Sequence, residues 1–158
     1  MHSSSAQMVK EAMPTSSRFS VAVHILALMA RAGDEPIKSD QMAGSVNTNP
    51  VVIRRLLCEL ARAELVTSQT GASGGSRLAR KPSQISLLEV YRAVEGRGVF
   101  ALHRQPPNRR CLVGGHIETV LGEVLEEVNL AIERVLAKTT IEQVLQSLQA
   151  CARSHQRG

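Results

Sequence analysis

Few stretches of this chain leave the backbone as little choice as Asn49 to Leu65, which reads N-P-V-V-I-R-R-L-L-C-E-L-A-R-A-E-L. Asn49 can accept a backbone N–H through its side-chain oxygen. Pro50 suits the first helical position, where its missing N–H costs nothing, so a helix is predicted to begin here. Ile53, Leu56, Leu57, Leu60 and Ala61 recur at three- and four-residue spacing as one apolar stripe, while Arg54, Arg55 and Arg62 lie off it. One side faces a core and the other carries positive charge. A helix anchored by leucines and presenting arginines near its N-terminal end suits a DNA major groove, where arginine donates two hydrogen bonds to guanine. An amphipathic helix with solvated arginines fits the same residues, and the neighbouring segments decide between the two.

A chain of 158 residues buries one good core plus an extension, not two full domains. Apolar residues make up 43%, yet Phe19, Phe100 and Tyr91 are the only aromatics, so the core is expected to be aliphatic and helical. Single-stranded nucleic acid, which is held on exposed rings, is thereby disfavoured. The net charge of +5 is unevenly spread. Residues 47–82 carry six Arg or Lys against two acids and 97–110 carry four arginines and no acid, whereas 116–146 carry six Glu against two bases. That distribution points to a polyanion contacted by one part of the molecule. No run is long and apolar enough for a membrane span or signal peptide, so a cytoplasmic protein is expected, with no membrane partner. Cys58, Cys111 and Cys151 are too scattered for a disulfide framework.

Residues 1–13 read as a disordered leader. A first helix is predicted from about Ser17 to Ala32, with His24 as a core or interface residue. After a turn, Ser39 caps a short helix to about Ser45, and Val46 to Asn49 connects tightly to the arginine helix, which is the helix-turn-helix arrangement. Leu65 to Ser68 and Arg77 to Arg80 are strand-like runs around a glycine-rich tip, Gln69 to Ser76: a wing. Because the tip lacks a Lys-Ser/Thr ending and opens no helix, a phosphate-binding P-loop is disfavoured. Ser86 and Glu89 form a capping box that starts a helix ending at Glu95 and stopped by Gly96. Residues 97–115, with Pro106-Pro107 and Gly114-Gly115, read as a loop long enough to be functional or disordered. From His116 to about Ala137, Ile117, Leu121, Val124, Val128, Ala131, Ile132 and Val135 mark an apolar helix face roughly 30 Å long, too long for the winged unit to cover alone. A two-fold dimer through Ile117, Leu121, Val124, Val128, Ile132 and Val135 is the economical solution. Thr139 or Thr140 then caps a last helix carrying Ile141, Val144, Leu145 and Leu148, expected to fold back as a hairpin. The architecture is mainly α: a winged helix-turn-helix over 14–96, a sensor loop over 97–115 and dimerisation helices over 116–153.

The order of these elements resembles the Rrf-two family of bacterial winged helix-turn-helix regulators. So do the phrases Asn49-Pro50 to Leu60, Leu65-Val66-x-Ser68, Gly71-x-x-Gly74-Gly75, Leu78-Ala79, Ile85-Ser86-Leu87 and Val94-Glu95-Gly96. The resemblance spans about residues 14–150. It implies a homodimer on a near-palindromic operator in double-stranded DNA, with the arginine helix in the major groove and the wing along the minor groove. Mapped onto this sequence, Thr48, Asn49, Val51, Arg54 and Arg55 are the recognition candidates, Gln69, Thr70, Ser73 and Arg77 belong to the wing, and Arg18 and Ser39 hold phosphates. Thr70 stands where some relatives place a minor-groove arginine.

Cluster-binding relatives place three cysteines in the loop before the long helix, whereas this chain has only Cys111 there, with His103 and His116 the nearby imidazoles. No iron–sulfur cluster and no other metal is therefore expected. Cys111 follows Arg109 and Arg110, a positive setting that favours a reactive thiolate, and is the candidate redox sensor; a spectator cysteine is the alternative. The expected function is a sequence-specific transcriptional regulator, a repressor, whose DNA occupancy answers a signal in the 97–116 loop. A regulator sensing a small molecule or metal and a helical adaptor are the alternatives. A cysteine enzyme would need a fixed base, for which His103 and His116 lack an orienting acid.

Overall fold

The computed structural model describes residues 16–95 and 98–157; the expected leader over 1–13 and the helix stop at Gly96 lie outside them. Helix α1 (Arg18–Ala32) is followed by α2 (Ser39–Val46) and α3 (Pro50–Arg62). Strands β1 (Val66–Gln69) and β2 (Gly75–Leu78) form an antiparallel hairpin. A 3-10 turn (Pro82–Gln84), α4 (Leu87–Val94), the long α5 (Leu112–Leu136) and α6 (Ile141–His155) complete the described chain. This is the mainly helical winged helix-turn-helix architecture, with a long helix after the wing.

Local chemistry explains most of these boundaries. The Asn49 side-chain oxygen accepts the Val51 N–H at 2.9 Å with Pro50 in the first turn, and Asn47 takes a left-handed φ of 62° that closes the connection from α2. Ser86 and Glu89 cap α4 reciprocally, and Thr140 and Gln143 do the same for α6. At α2 the cap is Lys38, and Ser39 is the first helical residue rather than the cap.

Ile25, Leu26 and Met29 of α1, Met42 of α2, and Ile53, Leu56 and Leu60 of α3 are fully buried together with Leu65, Ile85, Val90 and Ile141. Each such side chain contributes about 1.5–3 kcal/mol by leaving water. The stripe on α3 is narrower than expected, because Ala61 at its edge is exposed. Phe19 and Tyr91 meet edge to face with centroids 6.0 Å apart, joining α1 to α4.

Two departures concern the C-terminal third. Helix α5 starts at Leu112, not at His116, so Gly114 and Gly115 lie in its first turn instead of in a loop. The chain then returns to the winged unit: Ile141 N–H donates to Ile85 O and Leu87 N–H to Thr139 O, both at 2.9 Å, and the Ile141 side chain enters the core. Helix α6 consequently packs along α1, not as a hairpin on α5. Among the described residues, no helix is long and apolar enough to cross a membrane.

Candidate nucleic-acid interface

Burying Ile53, Leu56, Leu57 and Leu60 turns Val51, Arg54, Arg55, Cys58 and Arg62 to solvent. Val51 and Val52 remain 44% and 39% exposed in the first turn. Arg54 faces Asp40 of α2 at 3.7 Å, both side chains being largely in solvent, and this exposed pair is worth little energetically. Asn49 is exposed and Thr48 half-buried, so the connection into α3 lies at the edge of the same surface.

The wing stands beside it. The register pairs Val66 with Leu78, Thr67 with Arg77, Ser68 with Ser76 and Gln69 with Gly75, which leaves Gln69, Thr70 and Ser73 exposed at the tip and Arg77 half-buried. Ser76 exchanges backbone hydrogen bonds with Ile37 at 2.8 and 2.9 Å, tying the wing to the segment that leads into α2. Gly75, at φ 148°, passes so close that a Cβ would stand 2.7 Å from Ile37 O. One cleft is shared by Lys38, Ser39 and Asp40 at the start of α2, Arg54 of α3, and Gln69, Gly71, Gly74 and Gly75 of the wing. The structure thus brings Ser39, Arg54 and Gln69 together, and adds Lys38 and Val52, which sequence reasoning missed. Lys38 precedes the predicted helix and reads as a turn residue, whereas the exposure of Val52 follows from which face of α3 is buried.

Arg18 has other partners than the expected phosphate. Its guanidinium pairs with Glu59 on α3 and donates to Val94 O at 3.3 Å, so its charge is met by a protein carboxylate and it ties α1, α3 and the end of α4 together. Cys58 is exposed on the arginine side of α3. His24 is also exposed, with Nε2 2.9 Å from Ser45 Oγ.

Cys111 is the residue that precedes α5. Its thiol makes no full cap hydrogen bond, but the backbone N–H groups of Gly114 and Val113 point at it and hold its pKa below the ordinary value, outweighing a small burial effect. The helix N-terminus, not Arg109 and Arg110, is the source of the shift. On α5, Ile117, Leu121, Val128 and Ile132 are half-buried, whereas Val113, Val120, Val124, Ala131 and Val135 form an exposed apolar stripe beside them. The Arg92–Glu133 ion pair, at 2.9 Å, holds α5 to α4 on the opposite side.

Comparison with known proteins places this geometry. The Rrf2 family model, described as an iron-dependent transcriptional regulator, matches residues 15–147. YwnA of Bacillus subtilis (strain 168), named as an inferred HTH-type transcriptional regulator, is 45% identical over 133 residues, covering 84% of this chain and 97% of YwnA. A crystal structure of an inferred DNA-binding protein is 42% identical with a TM-score of 0.66, covering 82% of this chain and 99% of that one. IscR of T. potens is 25% identical with a TM-score of 0.65, covering 88% and 90%. The donor set here does not fit an iron centre: among the described residues, no three His, Cys, Asp or Glu side chains come together as metal ligands. Cys111 is the one thiol near the start of α5, and the His116 ring bonds back to Leu112 O at 2.8 Å.

Proposed function

This chain belongs to the Rrf2 family of transcriptional regulators, and from that premise we propose that it is a cytoplasmic homodimeric repressor of a near-palindromic operator, with Cys111 as the group that senses oxidant. The DNA-binding character comes with the family; the dimer, the direction of regulation and the signal are this reading. The observation that carries it is α3, whose buried leucines hold Val51, Arg54 and Arg55 outward, with Arg54 sharing a cleft with the wing. The dimer rests on two uncovered apolar surfaces. One is the Val113, Val120, Val124 and Val135 stripe of α5. The other is a groove of about 730 Å³ between α1 and α6, floored by Val23, Leu28, Val144 and Leu148 and rimmed by Arg31 and Arg153. Glu123 and Glu127 flank the stripe, so the charges match, and a two-fold axis would satisfy both contacts twice.

The test is genome-wide recovery of bound DNA with reduced and oxidised protein, followed by titration of a recovered site with Arg54→Ala and Arg55→Ala. Each substitution is expected to weaken binding by about 1–3 kcal/mol with the protein still folded. Unchanged affinity in both variants would remove the recognition role from α3.

A further inference from the structure

Arg55 makes no ion pair among the described residues, in contrast to Arg54, which faces Asp40. One turn earlier on the same face is Val51, with Val52 beside it, and both are exposed apolar side chains. A single exposed valine needs no explanation. Two adjacent ones, in the first turn of a helix whose remaining exposed positions are three arginines, a cysteine and Ala61, lie where no core covers them. As β-branched residues they also do not favour the helix they sit in. What they offer is methyl surface. In the major groove only one base edge answers an aliphatic side chain, the C5-methyl of thymine, while an unpaired arginine answers O6 and N7 of guanine.

We infer that Val51, supported by Val52, and Arg55 set the sequence preference of each half-site, by contact with a thymine methyl and a guanine respectively. The inference rests on the proposed insertion of α3 into the major groove and deepens it. Val51 and Arg55 are four residues apart, about 6 Å along the helix axis. Base pairs rise about 3.4 Å. With α3 lying along the groove, the thymine and the guanine fall about two base pairs apart. Valine neither donates nor accepts a hydrogen bond, so this part of the readout is independent of the hydrogen-bonding pattern of the thymine and depends on its methyl group alone.

The experiment begins with selection of 30-base-pair duplexes from a random-sequence library by the full chain under reducing conditions, at roughly physiological salt. The enriched thymines are then replaced one at a time by deoxyuridine, which removes only the methyl, and the enriched guanines by 7-deazaguanine, which removes only N7. Deoxyuridine at one position in each half-site is expected to weaken binding about fourfold, as for one lost buried methyl. That effect should vanish in Val51→Ala. The 7-deazaguanine effect, roughly tenfold, should vanish in Arg55→Ala but persist in Val51→Ala. Enriched half-sites without thymine, or a deoxyuridine effect that survives in both Val51→Ala and Val52→Ala, overturn the inference while leaving the DNA-binding site in place. A library with no enriched sequence overturns it together with the reading it rests on.

Discussion

Gly114, in the first turn of α5, lies so close beneath the backbone carbonyl of Asn108 that any side chain there would overlap the oxygen. Asn108 also accepts the Arg110 N–H at 3.0 Å through its side chain and the Cys111 N–H at 3.3 Å through its carbonyl. The residues before α5 are therefore folded back over the helix start, and the two glycines make room for them.

Gly114→Ala is expected to destabilise the protein by about 1–3 kcal/mol through overpacking, despite the better helix propensity of alanine. Gly122, farther along α5, has nothing within 4 Å of its would-be Cβ. Gly122→Ala is therefore expected to raise stability by up to about 1 kcal/mol. Thermal unfolding of the two variants checks the contrast; a stabilised Gly114→Ala would mean that the 108–111 turn does not rest on the helix.

Val124 is 51% exposed on α5, so an aspartate there costs the isolated protomer little, but in a dimer it would bury a charge. Val124→Asp should give a folded monomer that has lost operator affinity; Leu121→Asp and Val128→Asp, at half-buried positions, should be monomeric and less stable as well. Sedimentation together with circular dichroism measures both properties. A folded dimer carrying Val124→Asp would rule out this stripe as the interface.

For Cys111 the lowered pKa means that the thiolate fraction at neutral pH exceeds that of an ordinary cysteine. Alkylation of Cys111 in a Cys58→Ser, Cys151→Ser background should reach half its limiting rate below the ordinary thiol value of 9.0. Mild peroxide should weaken operator binding in the unsubstituted protein but not in Cys111→Ser. If the variant responds equally, the sensing thiol is Cys58 or Cys151.

Glu89 tests the wing-to-helix junction by pH. Burial opposes its ionisation, but hydrogen bonds from Arg80, at 2.8 Å, and from Ser86 outweigh it and hold the carboxyl below the ordinary 4.5. A depressed folded-state pKa gives stability that is fully present above the unfolded value and lost as the pH falls through the folded one. The protein should therefore exceed Glu89→Gln in stability at pH 7, by about 0.5 kcal/mol for a pair this exposed, and lose that advantage below pH 4.5. Urea unfolding of both proteins from pH 7 to pH 3 reads the difference, and a constant gap across that range would show that the charge contributes nothing.

What the sequence determined by itself is whatever depends on near neighbours. The Asn49-Pro50 start of α3, the Ser86–Glu89 and Thr140 caps and the Gly71 to Gly75 wing tip are hydrogen bonds and φ angles settled within a few residues, and they were legible as such. The leucine spacing of α3 likewise assigns one face to the core, and with it the outward arginines. Contacts between distant residues decided the rest. Gly114 and Gly115 read as a loop because glycine weakens helices, and only the approach of Asn108 and Arg109 shows why a helix carries them. The basic character of Arg18 is visible in the chain, whereas its pairing with Glu59, 41 positions away, requires α1 and α3 to be packed. Helix α6 has an apolar face that would suit α5 equally well by periodicity. It lies on α1 because Ile141 enters the winged core and hydrogen-bonds to Ile85, and that choice between two similar surfaces is made by packing, not by pattern.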